Sequence, residues 1–295
     1  MEQHSSAVGI ICLCTHFFLF HLPITLPSLV IVRALGIGLG GYVAWYFAKG
    51  YLRFDKKVSW EWVVRLFNFG KYVMGTNLAT MIYKGTDRVM IAKFFGDVQV
   101  AIFDAAVKIT NLAEAPTFSM ATILFPQSAR IERTDGLSTK VLYEKAVGAI
   151  LTILIPAIVF VLFFAEWIIL FIAGESYLSA ANILRVTMFY GIFIPFAVQF
   201  GTVLDSTGRP KINFIFTALS VFLNLALNYL FITRLGTIGA AYGTLLAYFL
   251  GFIAMQVYLY RTFGVVAFRA FLYMTTFYVL IANTLQNWLK RNKKF

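Results

Sequence analysis

The sequence predicts an all-α integral membrane protein, a helical bundle of about eight or nine transmembrane helices, and three observations lead there. Hydrophobic residues make up 60% and charged residues 13% of the 295, about half the roughly 25% charge of a soluble domain. Mean hydropathy is +0.79, more apolar surface than a water-soluble core of this size could hide. Charge-free apolar runs recur at 146–165, 186–204, 212–233, 235–260 and 270–289, each close to the ~20 residues a helix needs to cross the hydrocarbon core. Strand-type alternation is absent and the runs are too long for barrel strands.

Taken in order, the first predicted span covers 7–22 and carries His16 and His21, and the second covers 26–48 around Arg33. Two more polar helices follow, at 63–95 and 98–130, before the five charge-free runs. Pro116, Pro126, Pro156 and Pro195 lie inside or near the ends of spans, where proline marks a kink or is simply packed. Cys12 and Cys14 share one apolar stretch, with neither disulfide nor metal spacing. Residues 1–6 lack the positive start of a secretory signal peptide.

The loops orient the bundle. With 49–61 in the cytoplasm and the spans alternating, that side collects Lys49, Arg53, Lys56, Lys57, Arg130, Arg133, Lys140, Lys145, Arg209, Lys211, Arg261 and Arg269. The other side holds Arg234 beside Asp97, Glu166 and Glu175. Such a bias is what membrane insertion requires, so the net charge of +12 carries no nucleic-acid reading. One feature conflicts. If 270–289 spans, Lys290, Arg291, Lys293 and Lys294 fall on the outer face; the segment either lies in the interface or spans against the rule.

Three stretches carry a family likeness: 87–96, Asp-Arg-Val-Met-Ile-Ala-Lys-Phe-Phe-Gly; 100–109, Val-Ala-Ile-Phe-Asp-Ala-Ala-Val-Lys-Ile; and Gly208-Arg209-Pro210-Lys211 with Asn224 to Asn228 and Gly236 to Ala241. Over 62–261 the chain resembles the C-terminal six-helix lobe of the Wzx-type polysaccharide (O-antigen) flippases of the multidrug/oligosaccharidyl-lipid/polysaccharide exporter superfamily. The resemblance implies a multi-pass protein of the bacterial inner (plasma) membrane. It also implies three segments: 1–61 as the end of a truncated first lobe with a basic linker, 62–261 as a six-helix lobe, and 262–295 as an extra helix with a basic tail. All three His and both Cys fall within the first 21 residues, which marks the start either as a different kind of sequence or as an ordinary first helix.

The implied function is translocation of a polyprenyl-pyrophosphate-linked oligosaccharide, with the lipid bilayer and a second lobe or a homodimer as partners. Ionisable groups at membrane depth cost about 2.5–3.5 kcal/mol each on insertion scales and need partners or a cavity. On the helix over 63–95, Asn77, Lys84 and Arg88 share a stripe, Lys71 precedes them, and Asp87 lies one turn from Lys84. They form either a cationic cavity wall, partly neutralised through Lys84–Asp87, or a solvated helix end. The next helix places Asp104, Lys108 and Asn111 at i, i+4 and i+7, with Glu114 beyond. Asp104–Lys108 is a favourable intrahelical pair, and the group reads equally as a structural network. Arg185 either snorkels to the interface or meets the pyrophosphate. Lys71, Asn77, Lys84, Arg88, Lys108, Asn111 and Arg185 are therefore the substrate-binding candidates, and Asp87, Asp104 and Glu114 the ion-coupling candidates. Asn213, Thr217, Ser220, Asn224 and Asn228 form a polar line that either joins helices or touches ligand.

No nucleophile elbow, Walker loop or HExxH motif occurs. No cofactor or metal is expected, and the chain is read as a transporter rather than an enzyme. The other readings are an inactive remnant, a half-transporter needing a partner lobe, a drug/cation antiporter of the same superfamily, and a membrane glycosyltransferase or polymerase. The antiporter would want an acidic or aromatic cavity. The enzyme would want a large soluble loop with paired carboxylates.

Overall fold

The computed structural model describes residues 26–50, 59–131 and 136–292. The predicted span at 7–22, the three His, both Cys, and Lys293 and Lys294 lie outside the described residues. Those described are helical, with no strand among them. The chain divides into two compact units, 1–63 and 64–295.

In the first unit, α1 (Leu26–Ala48) exposes Leu35, Ile37, Leu39, Val43 and Phe47 around its circumference, as a helix in contact with lipid does. It ends in aromatics: Trp45 packs on Tyr42, and Lys49 Nζ sits 4.2 Å over the Tyr46 ring. Such aromatic and cationic groups suit the membrane–water interface.

The second unit is the bundle. It comprises α2 (Trp60–Phe95, which begins in the first unit), α3 (Asp97–Ala113), α4 (Ala115–Ile131), α5 (Gly136–Ala173), α6 (Ala180–Gly191), α7 (Ile194–Ser206), α8 (Pro210–Leu235), α9 (Thr237–Phe263) and α10 (Ala267–Asn292). By length and composition, Thr139–Ala173, Ala180–Ser206, Pro210–Leu235 and Thr237–Phe263 can cross a membrane. The hydroxyl of Thr237 lies 3.0 Å from Gln99 Oε1 and joins the Gly96 and Gly236 turns at one end. At the other, basic end, Lys140 approaches Gly264 and Arg209 stacks over Phe263.

Two spans are broken, which corrects the single helix predicted over 98–130. The chain parts at Glu114 between α3 and α4, and at Ile192–Phe193 between α6 and α7. Pro116 and Pro195 each stand in the first turn after the break, where a missing N–H costs nothing. Pro126 remains inside α4 and Pro156 inside α5, which kinks eight residues later, at Phe164 (φ −106°, ψ 16°). The broken spans lie side by side, α3 on α6 and α4 on α7. The Thr110 and Thr187 hydroxyls meet at 2.7 Å, and Gln199 Nε2 donates to the Thr117 carbonyl at 2.9 Å. The core around these contacts is filled by Phe103, Leu124, Leu151, Met188, Phe196 and Phe200. Elsewhere α5 leaves Phe163, Trp167 and Phe171 largely exposed, apolar surface of the kind that lipid covers.

The helices α8 and α9 pair closely through a tight turn. Gly236 has φ of 73°, and a Cβ on Gly239 would lie 2.1 Å from the Phe231 carbonyl oxygen, so the Gly236–Gly239 spacing serves backbone contact. Along α5, α10 runs in the same direction. Val266 N–H donates to Glu144 Oε1 at 2.9 Å, the Ala270 carbonyl abuts Gly148, and the Tyr278 hydroxyl donates to the Thr152 carbonyl at 2.7 Å. The segment over 270–289 therefore runs alongside α5 from Ala270 to Tyr278.

Candidate functional site

The backbone of α2 stands off from its neighbours, and the space beside it is a cavity of about 410 Å³. Its walls are chemically distinct. Thr76, Asn77, Thr80 and Tyr83 of α2 face Asn213, Thr217 and Ser220 of α8 across it, while Phe118, Phe125, Phe193 and Phe252 supply an aromatic side. The helical period explains the polar walls, because positions three, four and seven apart share a face. Among the described residues, Lys84 is the one basic residue in the lining; Glu114 and Asp205 are acidic.

Each end is tied by a polar contact. Lys84 Nζ lies 3.1 Å from Glu114 Oε2 and 5.5 Å over the Phe118 ring. The Lys84 side chain is 46% exposed and Glu114 only 8%, so the cation looks into the cavity while the carboxylate stays in the wall. At the basic end, Asn213 Nδ2 donates to Asp205 Oδ2 at 3.0 Å. Gly201 lets α7 approach, since a Cβ there would come within 3.2 Å of the Asn213 amide.

Beyond Lys84, toward the Gly96 end, lies a second polar group. Arg88 Nε contacts Asp104 Oδ1 at 2.5 Å, and Arg88 Nη1 donates to the Lys84 carbonyl at 2.9 Å. Asp87 is buried and accepts from the Asn228 amide and from the Thr244 hydroxyl, 3.2 Å from both carboxylate oxygens. Asn224 Nδ2 donates to Thr244 at 2.9 Å, and Asn228 Nδ2 lies 3.2 Å from Asn224 Oδ1. Gly243 makes room, for a Cβ there would meet Asn228 Oδ1 at 2.3 Å. Tyr83, Tyr248 and Tyr190 pack ring on ring between this group and the cavity, at 5.4 and 5.3 Å. A buried carboxylate held by neutral donors can take up a proton or a small cation, with amide and hydroxyl oxygens as further ligands.

Two pairings expected from sequence are replaced. Lys84 bonds to Glu114 rather than Asp87, and Asp104 to Arg88 rather than Lys108. Spacing within one helix reveals only partners on that helix, whereas these come from the neighbour. Of the substrate-binding candidates, Asn77 and Lys84 line the cavity. Lys71 is exposed on α2 and donates to Asn68 Oδ1 at 2.8 Å. Lys108 and Asn111 are exposed on α3, outside the lining. Arg185 pairs with Glu166 at 2.9 Å and Asn182 at 2.8 Å, also outside it. Among the ion-coupling candidates, Glu114 lines the cavity, Asp104 holds Arg88, and Asp87 anchors the buried group. Tyr83, Thr244 and Tyr248 were not singled out by sequence reasoning; the polar line that ends in Asn224 and Asn228 was the nearest hint.

The sequence model of a family described as polysaccharide biosynthesis protein matches residues 9–182, a stretch that takes in His16, His21 and both Cys. A probable low-salt glycan biosynthesis flippase, Agl15 of Haloferax volcanii, is 25% identical over 65% of this chain and 41% of its own length. A putative O-antigen transporter of Shigella flexneri is 23% identical over 76% of this chain and 53% of its own. The chain thus spans about half the length of these curated relatives. Among solved structures, an outward-facing multidrug resistance MATE family transporter of the MOP superfamily superposes with a TM-score of 0.73 at 19% identity. That superposition covers 86% of this chain and 60% of the transporter, and it shows the fold.

Proposed function

Since the chain belongs to the polysaccharide biosynthesis protein family, we propose that it moves a lipid-linked oligosaccharide across the bacterial inner membrane. The observation that carries this reading is the cavity beside α2, whose hydroxyl, amide and aromatic lining suits a sugar and whose Lys84 suits a phosphate. Neutral hydrogen-bond groups and aromatic faces bind sugars without a formal charge, while a partly exposed ammonium meets a pyrophosphate as a point charge. No bond is made or broken. Lys84 exchanges Glu114 for the anionic head, and the saccharide lies between the polar faces of α2 and α8. The broken spans and the loosely packed α2 supply elements that can shift to open either side, as in other transporters built from discontinuous helices. Asp87 with Asn224, Asn228 and Thr244 is the ion-coupling site, loading a proton or a monovalent cation. A second lobe, from another chain or a second copy of this one, faces the cavity during transport.

The test is complementation of a cell whose surface glycan depends on its own flippase, with that flippase deleted. The wild-type chain, with a partner lobe if one is needed, should restore surface glycan. Lys84→Ala and Asn77→Ala should abolish or sharply reduce it at unchanged protein level in the membrane. Full export by both variants would remove the cavity from the transport path.

A second reading has one observation in its favour. Glu114 and Asp205 outnumber Lys84 among the described residues of the cavity lining, which also holds five phenylalanines, as an organic cation would want. Raised tolerance to cationic dyes on overexpression, with no gain in surface glycan, would favour drug/cation antiport.

A further inference from the structure

A second, wholly different space lies against the first. It has a volume of about 470 Å³, within the about 300–1,000 Å³ of ligand pockets. Its lining is aromatic and aliphatic: Phe189 and Phe193 at the α6–α7 break, Phe231 of α8, and Tyr242, Leu245 and Phe249 of α9. Phe189, Tyr242 and Phe249 are exposed, at 46%, 39% and 44%, and they belong to spans apolar enough to cross a membrane. The groove thus opens sideways toward hydrocarbon.

One residue belongs to both spaces. Phe193 lines the polar cavity and the apolar groove alike. Its ring lies 5.9 Å from that of Phe249 on the groove side and 5.3 Å from that of Phe252 on the cavity side. It stands at the break, where Ile192 and Phe193 donate three residues back, to the Phe189 and Tyr190 carbonyls, at 3.2 and 2.9 Å. The α-helical ladder is replaced there by a tighter, hydrogen-bonded turn with helical dihedrals at both residues, which sets this ring between the two spaces. Polar cavity, aromatic partition and apolar groove are contiguous, which is the layout an amphiphile needs.

We propose that the apolar groove holds the hydrocarbon tail of the lipid-linked cargo while its polar head occupies the cavity, with Phe193 as the partition between them. The inference rests on the transport reading above and adds the tail's path to it. The polar lining selects this occupant over bulk phospholipid: both are amphiphiles, but a phospholipid's small head has few groups to pair with the hydroxyls and amides of Thr76, Asn77, Thr80, Asn213, Thr217 and Ser220, whereas a saccharide head carries hydroxyls throughout.

The test uses the purified chain in vesicles of phosphatidylethanolamine doped with a photoactivatable polyprenyl phosphate, irradiated and mapped by mass spectrometry. A parallel sample carries a photoactivatable phosphatidylethanolamine instead. The polyprenyl probe should label residues 189–193 and 242–249 several-fold more than the α5 surface around Phe163 and Phe171; the phospholipid probe should show no such preference. Leu245→Trp, which fills the groove, should remove the preference, and Leu246→Phe serves if that variant does not fold. Even labelling by the polyprenyl probe, or equal enrichment of both probes at the groove, overturns the proposal.

Export separates the two readings. Glycan export by the wild-type chain that is unchanged in the groove-filled variant sinks the groove and leaves the transport reading standing. Specific labelling of the groove by a wild-type chain that supports no export sinks the transport reading and leaves a lipid-tail site.

Discussion

The cavity and the buried Asp87 group are two polar regions of one helical bundle, and they handle charge in opposite ways. In the cavity, the Lys84 ammonium faces a carboxylate, Glu114, and is itself half exposed. In the buried group, the Asp87 carboxylate is met by an amide and a hydroxyl, with no basic side chain among the described residues bonded to it. An ion pair of the first kind is already neutral as a unit, and its solvated member can turn to a ligand. A carboxylate of the second kind is hydrogen-bonded by dipoles, with the Arg88 charge acting on it only through space, so its charge state depends on what else arrives. The first arrangement suits recognition and the second suits coupling.

The largest expected effect breaks the buried side. Asp87→Leu strips the acceptor from Asn228 and Thr244, and each buried donor left unpaired costs about 1–3 kcal/mol. A marked fall in melting temperature of the detergent-solubilised protein should follow. Asp87→Asn, which keeps an acceptor oxygen, should hold the fold while ion-driven transport is lost. If Asp87→Leu melts like the wild type, the group is not the tightly bonded unit described here. Gly243→Ala attacks the same group from the other helix. Its new methyl must displace the Asn228 side chain and α8 backbone, at about 1–3 kcal/mol for overpacking. Cavity variants such as Thr80→Ala should cost far less in the same melting experiment.

On the cavity side the expected stability effect is smaller and the functional one larger. Glu114→Gln leaves Lys84 unpaired but half exposed, where water can serve it, so stability should change by no more than about 1 kcal/mol. Freed from its counter-charge, Lys84 should bind an anionic head group more tightly, measurable as a lower Kd for polyprenyl phosphate by native mass spectrometry. A large loss of stability would mean that Lys84 and Glu114 form a structural clasp, and the contrast with Asp87 would narrow.

How much of this was legible beforehand follows from where each partner comes from. The apolar runs at 146–165, 212–233 and 235–260 became α5, α8 and α9 because helix period and span length are local properties. The polar line from Asn213 to Asn228 was visible for the same reason. Their targets were not visible. Asn228 meets Asp87 across 141 positions, and Thr244 lies further still along the chain, so only the packing of α8 and α9 against α2 brings them together. Four prolines looked alike in sequence, yet two mark breaks and two do not. The difference is whether the proline stands in the first turn of a new helix, which the flanking residues alone did not reveal.

The smallest expected effect concerns Arg88 and Asp104, which lie between the two regions and test where the boundary falls. The pair is short, at 2.5 Å, but its side chains are 36% and 27% exposed, so solvent screens it and its net contribution should be about 0–1 kcal/mol. A double-mutant cycle with Arg88→Ala and Asp104→Ala, read by melting temperature, isolates that coupling from the other losses of each variant. Arg88 also donates to the Lys84 carbonyl, a bond that vanishes in Arg88→Ala alone and cancels in the cycle. A coupling within that range assigns the pair to the solvated side, with the cavity. A coupling of about 3 kcal/mol or more would be the behaviour of a buried pair, and would move the boundary between the recognising and the coupling region outward past Arg88, toward Lys84.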